Sequence, residues 1–105
     1  MVRHRLHNTV TLGRFNDALQ WARDLNGVCK KRGWTEFRVL VPSFGAVNQF
    51  ILEAEYPDHA TFFRENDAFQ ADGEAMTAYR RGVELVAHGT HPWDELEETA
   101  PLQLG

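Results

Sequence analysis

Cysteine is almost absent: Cys29 is the only one in 105 residues, so no disulfide can form within the chain, and the fold must rest on its core. A lone cysteine also suits a reducing compartment. No apolar run approaches the roughly 18 residues that a membrane span requires. Arg3 and Arg5 are not followed by the apolar stretch of a secretory leader. Positive charge is in deficit, with 11 Lys and Arg against 15 Asp and Glu and a net charge of −4. That balance removes the attraction on which binding to nucleic acid or an anionic membrane depends. Internal repeats, low-complexity tracts and interdomain linkers are missing too. The expectation is one cytoplasmic domain over 1–105, with its core at about 2–100 and a tail that frays.

What the chain has is apolar matter, 43% of its residues, including seven Phe and three Trp. A chain of this size buries roughly two-thirds of its unfolded surface, enough for a core without cross-links. The segment 34–56 organises the rest. Two runs rich in β-branched and aromatic residues flank Pro42, Ser43 and Gly45, which predicts an antiparallel hairpin. With side chains alternating, Phe37, Val39 and Val41 share one face of the first strand. Phe50, Leu52, Ala54 and Tyr56 share one face of the second. The opposite face carries Glu36, Arg38, Gln49, Glu53 and Glu55, but also Leu40, Val47 and Ile51, more apolar matter than a solvated face usually holds.

Residues 2–12 alternate in the same way, which predicts a first strand. Val2, Leu6, Val10 and Leu12 share a parity with His4 and Asn8, and the other parity is basic through Arg3 and Arg5. If this strand neighbours the hairpin, the two arginines face Glu53 and Glu55 and fix the register. Phe15, Ala18, Leu19, Ala22, Leu25, Val28 and Cys29 recur at helical spacing, with Trp21 widening the stripe and Gly33 as the stop. Asp58 caps a second helix that buries Ala60, Phe63 and Phe69, with Phe62 near the same stripe. Asp72-Gly73 breaks it, and a third helix runs through Ala75, Met76, Tyr79, Val83, Val86 and Ala87 to a stop at Gly89 and Pro92. A last short strand is expected over 95–99, its acidic residues discouraging edge-to-edge pairing.

The predicted architecture is therefore α+β: a ferredoxin-like βαββαβ chain with a four-stranded antiparallel sheet and a split second helical region. In this order and length the chain resembles the dimeric α+β barrel superfamily, and within it the NIPSNAP-type and related small barrels. The resemblance is carried by the opening strand, the long helix ending Lys30-Lys31-Arg32-Gly33, the hairpin, the helix split at Asp72-Gly73 and the Gly89-Thr90-His91 link. It covers nearly the whole chain and implies a homodimer joined through the half-polar sheet face, which a two-fold axis makes self-complementary. It also implies a ligand cleft between sheet and helices. The superfamily includes cofactor-free oxygenases, isomerases and haem-degrading enzymes, and no catalytic motif of these transfers to this chain. Fold analogy alone does not fix function.

Candidate residues follow from polarity at apolar positions. His4 and Asn8 share the inner parity, where an unpaired polar group costs roughly 1–3 kcal/mol. A cleft walled by Trp21, Phe37, Phe50, Tyr56, Phe63 and Tyr79 is one place where such groups converge. There His4 would serve as acid–base, with Asn8 or Tyr79 orienting a small apolar or aromatic ligand. The plainer alternative has His4 at a sheet edge bonding a carbonyl and Asn8 bonding a helix end. His59, His88 and His91, with Asp94, lack the spacing of a metal site, and no metal or cofactor is expected. A haem reading would fall on His59, whose neighbourhood is better explained by the Asp58 cap. Cys29 belongs to the core. Three functions stay open: a small-molecule site that acts as a cofactor-free oxygenase or isomerase, a non-catalytic dimeric module whose cleft its own side chains fill, and a haem-binding or haem-degrading protein.

Overall fold

The computed structural model describes residues 1–45 and 47–101. The alternating and helical patterns are realised as β1 (Val2–Thr9), α1 (Phe15–Arg32), β2 (Arg38–Leu40), β3 (Gln49–Tyr56), α2 (His59–Ala71), α3 (Gly73–Arg80) and β4 (Trp93–Glu98). A 3-10 turn, Arg81–Leu85, follows α3. The strands form one antiparallel sheet in the order β2-β3-β1-β4, the ferredoxin-like arrangement. The fraying expected at the chain's end concerns 102–105, outside the described residues.

The register is the one the charges call for. Arg3 stands opposite Glu55, and Arg5 opposite Glu53. A slip of one residue would carry Val2, Leu6, Phe50 and Leu52 to the polar side, so burial and charge select the same pairing. The inner face and the stripe of α1 close a core of Leu6, Val10, Trp21, Ala22, Leu25, Phe50 and Leu52, to which Ala78 and Leu85 add from the other helical layer. Phe50 is fully buried.

α1 ends as its sequence prescribes. Gly33 takes a left-handed φ of 72°, and Trp34 N–H bonds back to the Cys29 carbonyl while Gly33 N–H reaches Lys30. This Schellman closure satisfies the last free carbonyls, and only glycine adopts that φ without strain. Asp58 caps α2 by accepting from Thr61 N–H at 2.7 Å. Asp72 caps α3 by accepting from Ala75 N–H at 2.9 Å, and it also takes a 2.8 Å bond from Arg32 at the end of α1.

Four local expectations are corrected. β2 is only Arg38–Leu40, because side chains hold the backbone of the residues before it. Asn26 accepts from Phe37 N–H at 2.9 Å and donates to its carbonyl at 2.7 Å, and Glu65 accepts from Thr35 N–H at 2.5 Å. The third helix stops at Arg80 and tightens. The Trp21 indole N–H donates to the carbonyls of Ala78 and Tyr79, which a continuing α-helix would offer to residues 82 and 83. Val83 is left exposed as a result. Phe62, rather than Phe63, is the buried member of its pair, and Phe63 is 52% exposed. Leu12 falls beyond β1 in the turn and is exposed.

Candidate functional site

α2 does not seal the sheet, and its sequence explains why. Positions 62, 65, 66 and 69 follow the i, i+3, i+4, i+7 spacing of one helix face, and that face reads Phe, Glu, Asn, Phe. Gln70 flanks it. A helix with Glu and Asn at core-facing positions cannot press against an apolar sheet without burying unpaired polar groups. It stands off, and a cleft of about 610 Å³ opens between sheet and helices. The volume falls in the range that encloses a small organic molecule.

The floor of the cleft is the inner sheet face: His4 and Leu6 from β1, Leu52, Ala54 and Tyr56 from β3, Asp94 and Leu96 from β4. Phe62, Glu65, Asn66, Phe69 and Gln70 of α2 form one wall, and Met76 and Tyr79 of α3 join them. Leu25 and Cys29 of α1, with Trp34, Thr35 and Phe37, close the remaining side. The aromatic groups brace one another. Phe62 meets Tyr56 edge-on at 5.3 Å, Phe69 meets Tyr79 edge-on at 6.1 Å, and Trp34 lies 5.9 Å from Phe69.

His4 is the basic group of this floor. Its Nε2 lies 2.7 Å from Asp94 Oδ1, its ring lies 5.1 Å from Phe62, and its side chain is 24% exposed. The strand register produces the pair: His4 faces Leu96, so Asp94, two residues along on the same side of β4, lies within reach. A carboxylate at this distance orients an imidazole.

The phenols and the thiol of the cleft are held protonated. Burial, and next the Glu65 carboxylate, push the Tyr56 phenol up to about 12. Burial raises Tyr79 as well, with a further push from Asp94. Cys29 is pushed up to about 11 by burial first and then by Glu65 and Glu36, so at neutral pH it is an inert thiol. Glu65 itself is anchored by Thr35, through both N–H and hydroxyl.

Of the residues picked out by sequence, His4, Phe37, Tyr56 and Tyr79 meet in the cleft. Asn8, Trp21 and Phe50 do not. They line a separate void of about 10 Å³, too small for any substrate, where Asn8 Nδ2 is buried without a partner. Phe63 points away from the cleft and stacks loosely on His59, which lies outside it too. Sequence reasoning did not place Asp94, Phe62, Glu65 or Asn66 in the cleft. The signal for the α2 residues was present, as polar side chains at core-stripe positions. Asp94 had no signal until the β4 register was known.

The far side of the sheet is open and charged. Arg5 donates to Glu53 at 2.7 Å and to Glu97 at 3.1 Å, while Arg38 donates to Glu53 and, at 3.2 Å, to Glu55. The Glu53 side chain is only 3% exposed, and the Arg5 bond, then Arg38, holds its carboxyl below the usual 4.5. His7 stacks on Trp93 at 3.8 Å and bonds Glu95 at 2.5 Å. Leu40 and Trp93 remain partly exposed on this face.

No family model matches the sequence, and no curated protein matches it. Solved structures share its fold. An uncharacterized NIPSNAP domain protein from Burkholderia xenovorans superposes with a TM-score of 0.77 over 100% of both chains at 16% identity. A NIPSNAP family protein with unknown function from Agrobacterium tumefaciens gives 0.76 at 12% identity, over 98% of this chain and 91% of that one. An antibiotic biosynthesis monooxygenase gives 0.72 at 14% identity, over 96% of this chain and 100% of that one. At such identities the likeness establishes a ferredoxin-like α+β fold. Among the described residues no helix is long and apolar enough to cross a membrane.

Proposed function

We propose that this chain, with the fold of NIPSNAP domain proteins and of an antibiotic biosynthesis monooxygenase, binds a small, largely apolar or aromatic molecule in the sheet–helix cleft. We further propose that it acts there as a cofactor-free acid–base enzyme, of the isomerase or oxygenase type. The observation that carries the reading is the His4–Asp94 pair on the floor of an aromatic-walled cavity of about 610 Å³. A module serving only as scaffold would fill that space with its own side chains. Removal of a proton from carbon or a phenol is the first step that isomerisation and cofactor-free oxygenation share. In this scheme a His4 ring nitrogen accepts the proton, Asp94 stabilises the imidazolium, and the protonated Tyr79 phenol donates a hydrogen bond to the developing oxyanion.

The same reading has the protein work as a homodimer, two copies meeting through the Arg5–Glu53 face. Its support is a face half charged and half apolar, with a guanidinium–carboxylate network that a two-fold axis can repeat across the interface. His4→Ala tests the site. The variant is expected to fold and self-associate as the parent does and to lose roughly 100-fold or more in turnover of a substrate found by screening aromatic metabolites. Unchanged turnover would remove His4 from the scheme.

A further inference from the structure

We propose that the cleft selects its ligand by charge: it takes flat apolar molecules carrying a protonated amine, accepts neutral ones less well, and turns away carboxylates and phosphates. This rests on the cleft being the ligand site and adds the class of molecule that fits it.

The charges that line the space set its preference. Two carboxylates line it, Glu65 from α2 and Asp94 from β4, and among the described residues no lysine or arginine does. The one basic side chain on the lining is His4, and it is already paired with Asp94. Glu65 is the more telling of the two. Thr35 fixes its carboxylate in place with two hydrogen bonds, so the group is held in the wall rather than swinging free at the surface. Burial is the main reason the phenols of Tyr56 and Tyr79 stay protonated, with Glu65 and Asp94 respectively adding to it, so neither tyrosine brings a compensating charge to the cleft.

The remaining walls agree with that sign. Trp34, Phe62 and Phe69 offer π-faces, and the electron-rich face of an aromatic ring attracts a cation. Asn66 and Gln70 add side-chain carbonyls that accept hydrogen bonds from an ammonium. An incoming carboxylate finds no lysine or arginine to replace its lost hydration, and it meets two like charges, Glu65 half-buried in the wall and Asp94 at the exposed rim.

The test is calorimetric titration of the full chain with three probes that share one ring system: tryptamine, 3-methylindole and indole-3-acetate. Tryptamine should bind at least about tenfold tighter than indole-3-acetate, with 3-methylindole between them. In an Asp94→Asn/Glu65→Gln double variant that ratio should shrink to about twofold or less. Both substitutions keep an acceptor oxygen for His4 and for Thr35, and circular dichroism verifies folding. Indole-3-acetate binding as tightly as tryptamine, or a ratio that survives in the double variant, overturns the charge selection while leaving the cleft as a ligand site. Absence of binding by all three probes overturns the charge selection together with the cleft reading.

Discussion

His4, Trp21 and Gly82 show how much of this molecule turns on single side chains. His4 occupies an apolar-parity position on β1 and is kept there by a carboxylate from a strand about ninety residues further along the chain. If Asp94 supports the imidazole as it takes up a proton, Asp94→Asn should lower kcat by roughly 10- to 100-fold and, for a neutral substrate, leave KM little changed, because the asparagine still orients the ring but no longer stabilises its cation. Steady-state kinetics on a neutral substrate that the screen yields would measure it, and an altered KM with constant kcat would assign Asp94 to binding alone. Trp21 acts structurally. Its indole ends α3 by taking two carbonyls, and its ring lies only 2.5 Å from where a Cβ on residue 82 would be. Gly82→Ala must therefore displace an indole packed in the core. A loss of roughly 1–3 kcal/mol in unfolding free energy is expected, measured by urea denaturation.

At the level of elements, the sheet and the helical layer are fastened by different means. β1 and β3 are held in register by burial on one side and by ion pairs on the other, with Glu53 at the centre. Because Glu53 is almost wholly buried, Glu53→Gln leaves its arginine partners without their charged acceptor and should cost about 1–3 kcal/mol at pH 7. The carboxyl's folded-state pKa lies below its unfolded one, so the ionised group contributes its full stability above about pH 4.5. That contribution is lost as pH falls through the folded value. Urea midpoints followed from pH 7 down to pH 3 should thus converge for parent and variant at the acid end. A gap that stays constant with pH would mean that the charge of Glu53 contributes nothing. α2, in contrast, is tied at its ends, by Asp58 and Asp72, and by Glu65 to the loop before β2. It does little packing in between, and the cleft is the consequence.

For the molecule as a whole, one sheet has two unlike faces. The helices roof one of them incompletely. The other is open, yet carries Leu40, Trp93 and a nearly buried glutamate. An isologous dimer would cover that face and deepen the dielectric contrast around the arginine–glutamate network. Sedimentation equilibrium at micromolar concentration should give twice the chain mass, and Arg5→Glu, which places like charges side by side at the centre of the face, should shift it toward the chain mass. A parent protein that sediments at the chain mass overturns the dimer.

Local rules wrote much of this fold legibly into the chain. Alternation in 2–9 and 49–56, the helical stripe from Phe15 to Cys29, the glycine that ends it and the aspartates that start the next two helices all act within a few residues, and the pairing of Arg3 and Arg5 with Glu55 and Glu53, though long-range, follows from the alternation once the strands are neighbours. The site was legible only in part. The parity of His4 pointed inward, but Asn8, Trp21 and Phe50 share the inner layer without sharing the cleft, because depth within a layer depends on where the helices stop. Two decisions belong to tertiary structure alone: that Phe62 rather than Phe63 turns inward, and that Asp94 reaches His4. Each depends on distances between segments far apart in sequence, which periodicity does not encode and close packing does.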